Sequence, residues 1–225
     1  MEAIILAGGK GTRLSRVVND VPKPMAPING KPFLEYILND LNKKGFDSVI
    51  LAVGYKNEVI INYFGNRYKN IKILYSIENI PLGTGGCVKK ALLKCKEKSV
   101  YIINGDTFFN IDFSKMKSNN KVMIACKYMR DFSRYGKVEI SGNRIVEFKE
   151  KLHHQSGYIN GGIYLVKRDI FEGLSFDNFF SMEKDFFEKN NDYNIEIDVF
   201  ISDGYFIDIG IPEDYDRAKK ELNHE

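Results

Sequence analysis

A glycine-rich loop that follows an apolar segment at the N-terminus constrains this chain more than any other feature. The run Ala3–Ala7 is apolar throughout, as in a buried strand, and the sequence GGKGTRL follows at positions 8–14. Glycines let the backbone turn where a Cβ would clash, so successive N–H groups can converge on an anion. Lys10 and Arg13 add positive charge, and a guanidinium is a planar fork that matches phosphate oxygens. The loop therefore predicts a polyphosphate site, with a solvated basic turn as the alternative.

Two familiar nucleotide motifs are absent from this loop. A Walker loop places its lysine after the last glycine and before Ser or Thr, whereas Lys10 is followed by Gly11. The dinucleotide fingerprint Gly-x-Gly-x-x-Gly would need a glycine where Leu14 stands. A phosphate bound here would be held in another way.

Composition narrows the class of protein. The 225 residues suffice for one large α/β domain, and no Pro/Ser-rich linker divides 1–225. A net charge of +3, from 33 basic and 30 acidic residues, argues against a dedicated nucleic-acid binder. Cys87, Cys95 and Cys126 lack Cys-x-x-Cys spacing, so neither zinc nor a disulfide framework is indicated. Because no leader or membrane-span pattern is seen, we expect a cytoplasmic protein that contacts no membrane.

Strand and helix patterns alternate through the first half. Apolar strands are predicted at Ala3–Ala7, Ser48–Val53, Ile71–Ser76 and Val100–Ile103. Helical spacing separates them, and two later helices are expected over 179–187 and 212–222. Strand-like segments in the second half are Val122–Tyr128, Lys137–Ile140, Ile145–Phe148 and Gly157–Val166. The pattern predicts an α/β fold with a Rossmann-like, mixed but mainly parallel sheet, flanked by helices and carrying a small antiparallel extension.

Polar clusters directly follow four of the predicted strands. They are the glycine loop, Leu82–Gly86, Asn104–Asp106 and Asp208–Gly210. Each cluster alone has a purely structural alternative: a turn, a helix N-terminus or a helix cap. Ligands of open parallel sheets lie beyond the carboxyl ends of the strands, so the coincidence favours a single site there.

Asp106 and Asp208 are the candidate metal ligands. Each follows an apolar strand beside a glycine, and two converging carboxylates suit Mg²⁺, which completes its shell with phosphates and water. The alternative for Asp106 is a cap or turn aspartate.

Lys23 is the candidate for a positioned cation. It stands between Pro22 and Pro24, and the two prolines are expected to hold it extended and to fix its ammonium. Lys151 lies in a charged run and is individually a weak candidate, because most such lysines are solvated.

Taken together, these motifs resemble the sugar-1-phosphate nucleotidyltransferases along nearly the whole chain. The matching pieces are LAGGKGTRL at 6–14, PKPM at 22–25, PLGTGG at 81–86, NGD at 104–106, FKEK at 148–151, INGG in the segment 159–162 and DIGIPEDY at 208–215. Within that family the chain is most similar to the D-glycero-α-D-manno-heptose 1-phosphate guanylyltransferases. These 225 residues show no hexapeptide-repeat pattern like that of longer relatives, so the oligomeric state, a homodimer included, stays open.

The resemblance implies a glycosyltransferase-A-like nucleotidyltransferase fold, with 1–110 mainly binding nucleotide and 120–210 mainly binding the sugar phosphate. It also implies that GMP passes from GTP to the heptose 1-phosphate, with Mg²⁺ as cofactor, giving GDP-heptose for capsule or other surface polysaccharide and releasing pyrophosphate. Alternatives are mannose 1-phosphate guanylyltransfer, N-acetylmuramate or hexose 1-phosphate uridylyltransfer, and a catalytically silent nucleotide-sugar-binding regulatory subunit.

The resemblance also assigns roles to residues. The catalytic set is Arg13, Lys23 and Asp106, and the metal set is Asp106 and Asp208. The nucleotide-binding set is Leu6, Ala7, Gly8, Gly9, Gly11, Thr12, Arg13, Lys23, Glu78, Gly83 and Thr84. The sugar-phosphate set is Asn104, Gly136, Glu150, Lys151 and Asn160.

Glu78 is the candidate for choosing the base. Guanine presents N1–H and N2–H₂ as adjacent donors that a carboxylate can accept together. Uracil and thymine present one N–H between two carbonyls, which would repel a carboxylate. We therefore predict that Glu78 favours guanine, the alternative being an exposed glutamate without a role.

Overall fold

The computed structural model of the protein describes residues 1–9, 14, 21–149 and 151–222. Four residues of the predicted sets lie outside this part of the chain: Gly11, Thr12, Arg13 and Glu150. The helices are α1 (Phe33–Lys43), α2 (Asn57–Phe64), α3 (Gly83–Leu92) and α4 (Pro212–Glu221). The strands are β1 (Glu2–Leu6), β2 (Pro27–Ile28), β3 (Lys31–Pro32), β4 (Ser48–Val53), β5 (Arg67–Tyr68), β6 (Ile71–Ile77), β7 (Ser99–Asn104), β8 (Thr107–Phe109), β9 (Val122–Phe132), β10 (Lys137–Ser141), β11 (Arg144–Phe148), β12 (His154–Lys167), β13 (Ile197–Ile201) and β14 (Phe206–Asp208).

Ten strands form one mixed sheet in the order β10-β11-β13-β9-β12-β7-β1-β4-β6-β5. The strands of the first half, β7, β1, β4 and β6, are parallel neighbours, as their alternation with helices predicted. Two small antiparallel pairs, β2–β3 and β8–β14, lie outside this sheet. The predicted mixed α/β class is confirmed.

The central strands are buried on both faces, which explains their unbroken apolar runs. Along β1, Ala3 and Ile5 belong to the core packed against α1, α2 and α4, whereas Ile4 belongs to the core packed against α3. Successive side chains of a strand point to opposite faces, so neighbours in sequence enter different cores. Among the described residues, no helix is long and apolar enough to cross a membrane.

The antiparallel part continues the main sheet rather than standing beside it. β12 pairs antiparallel with β7 on one side and with β9 on the other, and β13 then pairs parallel with β9. Between Asn160 and Tyr164 the register of β12 shifts, and this irregular segment lies near the carboxyl end of β7 because Ile163 is opposite Ile103. The long strand β12 thereby joins the two halves of the chain.

The helix predicted over 179–187 is wrong in extent. The structure has only one π-helical stretch there, Met182–Phe187. Phe180 stacks on Phe176 with ring centroids 4.2 Å apart, and its backbone N–H donates to the Leu82 carbonyl oxygen. Aromatic packing and this loop pairing therefore hold residues 176–181 in an irregular path, against their apolar spacing.

Candidate active site

A cavity of about 810 Å³ opens at the carboxyl edge of the parallel strands. This volume lies within the range of nucleotide-sized ligand sites. Its lining comes from the loops after β1, β4, β6 and β7, together with the start of α3 and the 179–183 segment. The lining residues are Leu6, Gly8, Gly9, Lys23, Pro24, Gly54, Tyr55, Glu78, Asn79, Ile80, Pro81, Gly83, Thr84, Cys87, Asn104, Asp106, Phe179, Glu183 and Gly210. All four predicted polar clusters contribute at least one residue to it.

Asp106 and Asp208 are brought together by the antiparallel pairing of two short strands, β8 and β14. β8 begins immediately after Asp106, and its first residue, Thr107, is opposite Asp208 in β14. The Ile209 N–H also donates to the Asp106 carbonyl oxygen at 3.0 Å. Burial raises the pKa of Asp208, and the nearby charge of Asp106 raises it further. The charge of one carboxyl group therefore acts on the other, while their role as metal ligands stays a prediction.

The Lys23 ammonium forms an ion pair with Asp106, one member of this acidic pair. Its Nζ donates to Asp106 Oδ2 at 2.5 Å, and the lysine side chain is only 9% exposed. The expected extended backbone at Lys23 is wrong: residues Lys23–Met25 form a 3₁₀ turn. This turn is closed by the Met25 and Ala26 N–H groups, which donate to the carbonyl oxygens of Pro22 and Lys23. The turn positions the cation in place of an extended segment.

The oxygen donors here fit a hard divalent cation. Two carboxylates at one sheet edge match the preference of Mg²⁺ for a few protein oxygens. Within the described ranges no set of three His, Cys, Asp or Glu side chains is placed to hold a metal. A bound ion would take its remaining ligands from substrate phosphates and water.

The predicted nucleotide-binding residues line one end of the cavity. Leu6, Gly8 and Gly9 line it, and so do Lys23, Glu78, Gly83 and Thr84. Ala7 is fully buried and does not line the cavity.

Glu78 is fixed in the cavity wall rather than freely exposed. Its Oε2 accepts the Leu82 N–H at 3.2 Å. The Cys87 thiol is on its other side, where burial, followed by the charge of Glu78, raises the pKa of that thiol. The protonated thiol therefore adds no negative charge beside the Glu78 carboxyl group.

The predicted sugar-phosphate residues are only partly assembled. Asn104 lines the cavity, whereas Gly136, Lys151 and Asn160 do not. Asn160 Nδ2 instead donates to the Tyr164 hydroxyl at 3.1 Å, and its Oδ1 accepts the Gly162 N–H at 2.9 Å. Their contacts with a sugar stay predictions.

Two functional candidates were missed from the sequence. Glu183 lines the cavity and accepts hydrogen bonds from Thr84 Oγ1 at 2.9 Å and Ser181 Oγ at 3.0 Å. Arg134 NH2 donates to Asp208 Oδ1 at 3.2 Å. Neither residue follows an apolar strand directly, so the rule that located the other polar groups gave no signal for them.

The carboxyl edge of this mixed sheet has a nucleotide-sized cavity with an acidic pair and a buried lysine. This combination is typical of nucleotide-binding enzymes that transfer phosphate groups. The family model described as nucleotidyl transferase matches residues 2–225, and the chain belongs to that family. The resemblance inferred from the motifs is thus confirmed.

Curated relatives and solved structures give the same assignment. The chain is 54% identical to a D-glycero-α-D-manno-heptose 1-phosphate guanylyltransferase of Aneurinibacillus thermoaerophilus, with 100% of this chain and 99% of the relative covered. It is 51% identical to the enzyme of that name from Campylobacter jejuni subsp. jejuni serotype O:2, with 96% and 97% covered. The crystal structure of HddC from Yersinia pseudotuberculosis complexed with GMP-PN is similar with a TM-score of 0.88 and 36% identity, over 99% of each chain.

Proposed function

We propose that this protein transfers GMP from GTP to D-glycero-α-D-manno-heptose 1-phosphate, forming GDP-heptose and pyrophosphate. The relatives at 54% and 51% identity carry that activity in their names over nearly the full length. The structural neighbour was crystallised with GMP-PN, a guanine nucleotide. The observation that carries the chemistry is the ion pair of Lys23 with Asp106, whose charge acts on the neighbouring Asp208 carboxyl group.

The reaction needs no nucleophile from the protein. A phosphate oxygen of the sugar 1-phosphate forms a new bond to the α-phosphorus of GTP. The bond from that phosphorus to the bridging oxygen breaks, and pyrophosphate leaves with the electron pair. Positioning and charge neutralisation are then the contributions that the protein must make.

Lys23 is proposed to neutralise the α-phosphate. Its ammonium is paired with Asp106, and a triphosphate entering the cavity offers competing oxygens within reach of the same flexible stem. When bound, Mg²⁺ would supply further charge neutralisation, with Asp106 and Asp208 holding it. Arg13 and the loop amides are proposed for the β- and γ-phosphates on the sequence motif alone.

The sugar phosphate is proposed to bind towards β12. Asn104 lies at the end of β7, and the Asn160–Tyr164 irregularity of β12 is beside it. Gly136, Glu150 and Lys151 would complete this side. The division into a nucleotide half, 1–110, and a sugar-phosphate half, 120–210, is part of the proposal. The product would serve the synthesis of capsule or another surface polysaccharide.

A pyrophosphate-release assay tests the proposal directly. GTP, ATP, UTP and CTP are each combined with heptose, mannose and glucose 1-phosphates in the presence of Mg²⁺. We expect the highest kcat/KM for GTP with the heptose 1-phosphate. A higher value with mannose 1-phosphate, or with UTP, would overturn the substrate assignment.

An Asp106→Asn variant tests the chemistry separately from the substrates. Removal of one carboxylate that holds charge at the reacting phosphate should lower kcat by about 10²-fold or more, the usual scale for loss of such an electrostatic group. GTP binding, measured by calorimetry in chelator, should remain. Full turnover in this variant would contradict the role of Asp106, and Asp112→Asn, an exposed change outside the cavity, is the control.

A further inference from the structure

Arg134 forms a clamp between two carboxylates of different elements. Its NH2 group donates to Asp208 Oδ1 at 3.2 Å, and its NH1 group pairs with Asp214 Oδ2. Asp208 ends β14 and Asp214 is in the first turn of α4, so one guanidinium connects the end of a strand to the start of a helix. Arg217 binds the other oxygen of Asp214 at 3.0 Å and fixes that side of the clamp.

The clamp fixes the orientation of Asp208. Both of its donors, the Arg134 guanidinium and the Gly210 N–H at 2.5 Å, are on the same oxygen, Oδ1. Among the described residues no hydrogen bond is made to Oδ2. Because the Asp208 backbone belongs to β14, holding Oδ1 in place sets both side-chain torsions and therefore the direction in which Oδ2 points.

The surroundings indicate that Arg134 is placed for these contacts. Its side chain is 26% exposed, and its Nε is buried without a hydrogen-bond partner in the described part of the chain. A buried donor without a hydrogen-bond partner is destabilising, so packing alone would not favour an arginine here. The guanidinium also lies over the Tyr135 ring, 5.4 Å from its centroid, which limits its motion.

We propose that Arg134 is a positioning residue that aims Asp208 Oδ2 at the cation and phosphate site formed with Asp106. This inference rests on the proposed function, because it assigns Arg134 to the same metal-binding pair. Arg134 acts through Asp208 and needs no contact with substrate. Outer groups that orient a metal-binding carboxylate typically change metal affinity 10–100-fold when removed.

The test is Mn²⁺ binding to the protein without substrates, followed through the EPR signal of free Mn²⁺. We expect the dissociation constant to rise about tenfold in Arg134→Ala. Arg134→Lys should restore only part of the affinity, because a single ammonium cannot bind two carboxylates as a fork does. Arg144→Ala is the matched control. Arg144 begins β11, pairs with Glu196 and is 53% exposed, so its loss should leave Mn²⁺ affinity unchanged.

Additional variants separate this inference from the proposed function. Asp208→Asn should weaken Mn²⁺ binding; if it does not, the metal role in the proposed function is wrong. If Asp208→Asn weakens binding and folded Arg134→Ala does not, only the role of Arg134 is wrong. If Arg134→Ala does not fold, Mn²⁺ binding is measured in Arg134→Lys and Asp214→Asn instead. Wild-type Mn²⁺ affinity in both of these variants would overturn the inference. GTP binding in chelator should be unchanged in all Arg134 variants, because the guanidinium contacts carboxylates rather than nucleotide.

Discussion

At the residue scale, the held carboxylate of Glu78 gives a prediction about the base. Because Leu82 and Cys87 fix this side chain at the cavity, its charge is presented in one place. Glu78→Gln keeps one acceptor but loses the second, so it can no longer accept both guanine donors. Hydrogen bonds to a charged group are worth about 1.5–3 kcal/mol, so kcat/KM for GTP should fall at least about tenfold while that for UTP changes less.

The control for this base prediction is Glu183→Gln. Glu183 is a second cavity carboxylate, but its partners are the Thr84 and Ser181 hydroxyls, so it has no assigned contact with the base. Its loss should affect GTP and UTP equally. An unchanged GTP/UTP ratio in Glu78→Gln would refute the base assignment.

The environment of Asp208 gives a prediction about pH and stability. Burial and the charge of Asp106 raise the pKa of Asp208 in the folded protein above its unfolded value. The folded state therefore binds this proton more tightly, and stability falls as pH rises from the ordinary aspartate range through the raised pKa. In chelator at pH 7.5, Asp208→Asn should increase Tm by about 2–4 °C, equivalent to about 1 kcal/mol for a chain of this size.

The pH dependence checks the cause of that stabilisation. Below the ordinary aspartate pKa the wild-type carboxyl is protonated in both states, so the Tm advantage of Asp208→Asn should disappear there. The control is Asp216→Asn on α4, because Asp216 is 65% exposed and pairs with Lys219 on the same helix. An advantage that persists unchanged in acid would mean that the charge is not responsible.

The site could be predicted in part because some residues are marked by what precedes them. Asp106 lies two residues after the end of β7, so strand periodicity places it at the carboxyl edge of the sheet, whereas Glu78 is assigned from the family resemblance. Arg134 and Glu183 act through partners distant in sequence, 74 residues away for Arg134 and Asp208. Nothing local marks such a pair, because Arg134 follows β9 and Asp208 ends β14, and these segments meet only in the folded chain.

At the element scale, the turn that opens α3 depends on Gly83. Its φ is +69°, in the left-handed region, and a Cβ there would meet the backbone of Phe180. Gly83→Ala therefore adds a backbone clash to the conformational cost. We expect it to lower the free energy of unfolding by more than about 2 kcal/mol, measured by urea denaturation, and to weaken GTP binding.

Gly142→Ala is the matched control for this prediction. Gly142 also has positive φ, +58°, but nothing lies within 4 Å of the position of its Cβ. Its replacement should cost only the left-handed penalty of about 1–2 kcal/mol and leave GTP binding intact. Equal losses in the two variants would show that contact with Phe180 is unimportant.

Elements with strong apolar periodicity could be read from the sequence, and elements fixed by tertiary contacts could not. α1 and β4 have the expected type because Phe33, Ile37 and Leu41 repeat along one helix face and Ser48–Val53 is a continuous apolar run. The 182–187 segment has a similar apolar content, yet only a π-helical stretch forms because Phe176 and Phe180 stack instead of extending a helix. β14, with three residues, is too short for any periodic signal.

At the scale of the whole molecule, the pairing of β7 with β12 predicts that the two halves unfold together. Five residue pairs connect these strands, from Ile163–Ile103 to Lys167–Ser99. Strands from 1–110 and from 120–210 therefore belong to the same ten-stranded sheet. A shared central ladder makes partial unfolding expose buried backbone groups and both cores, which is costly. We therefore expect one calorimetric transition, with the calorimetric enthalpy equal to the van't Hoff enthalpy.

A pair of matched core variants makes this prediction decisive. Ile50 in β4 and Ile124 in β9 are both fully buried, one in each half of the chain. Replacing either by valine should cost about 0.5–1.5 kcal/mol and shift the same single transition to lower temperature, because each removes one buried methylene group from a common cooperative unit. If Ile50→Val lowered one transition and Ile124→Val lowered a different one, the halves would be separate folding units. In that case binding of GTP to the first half could not be expected to stabilise the second.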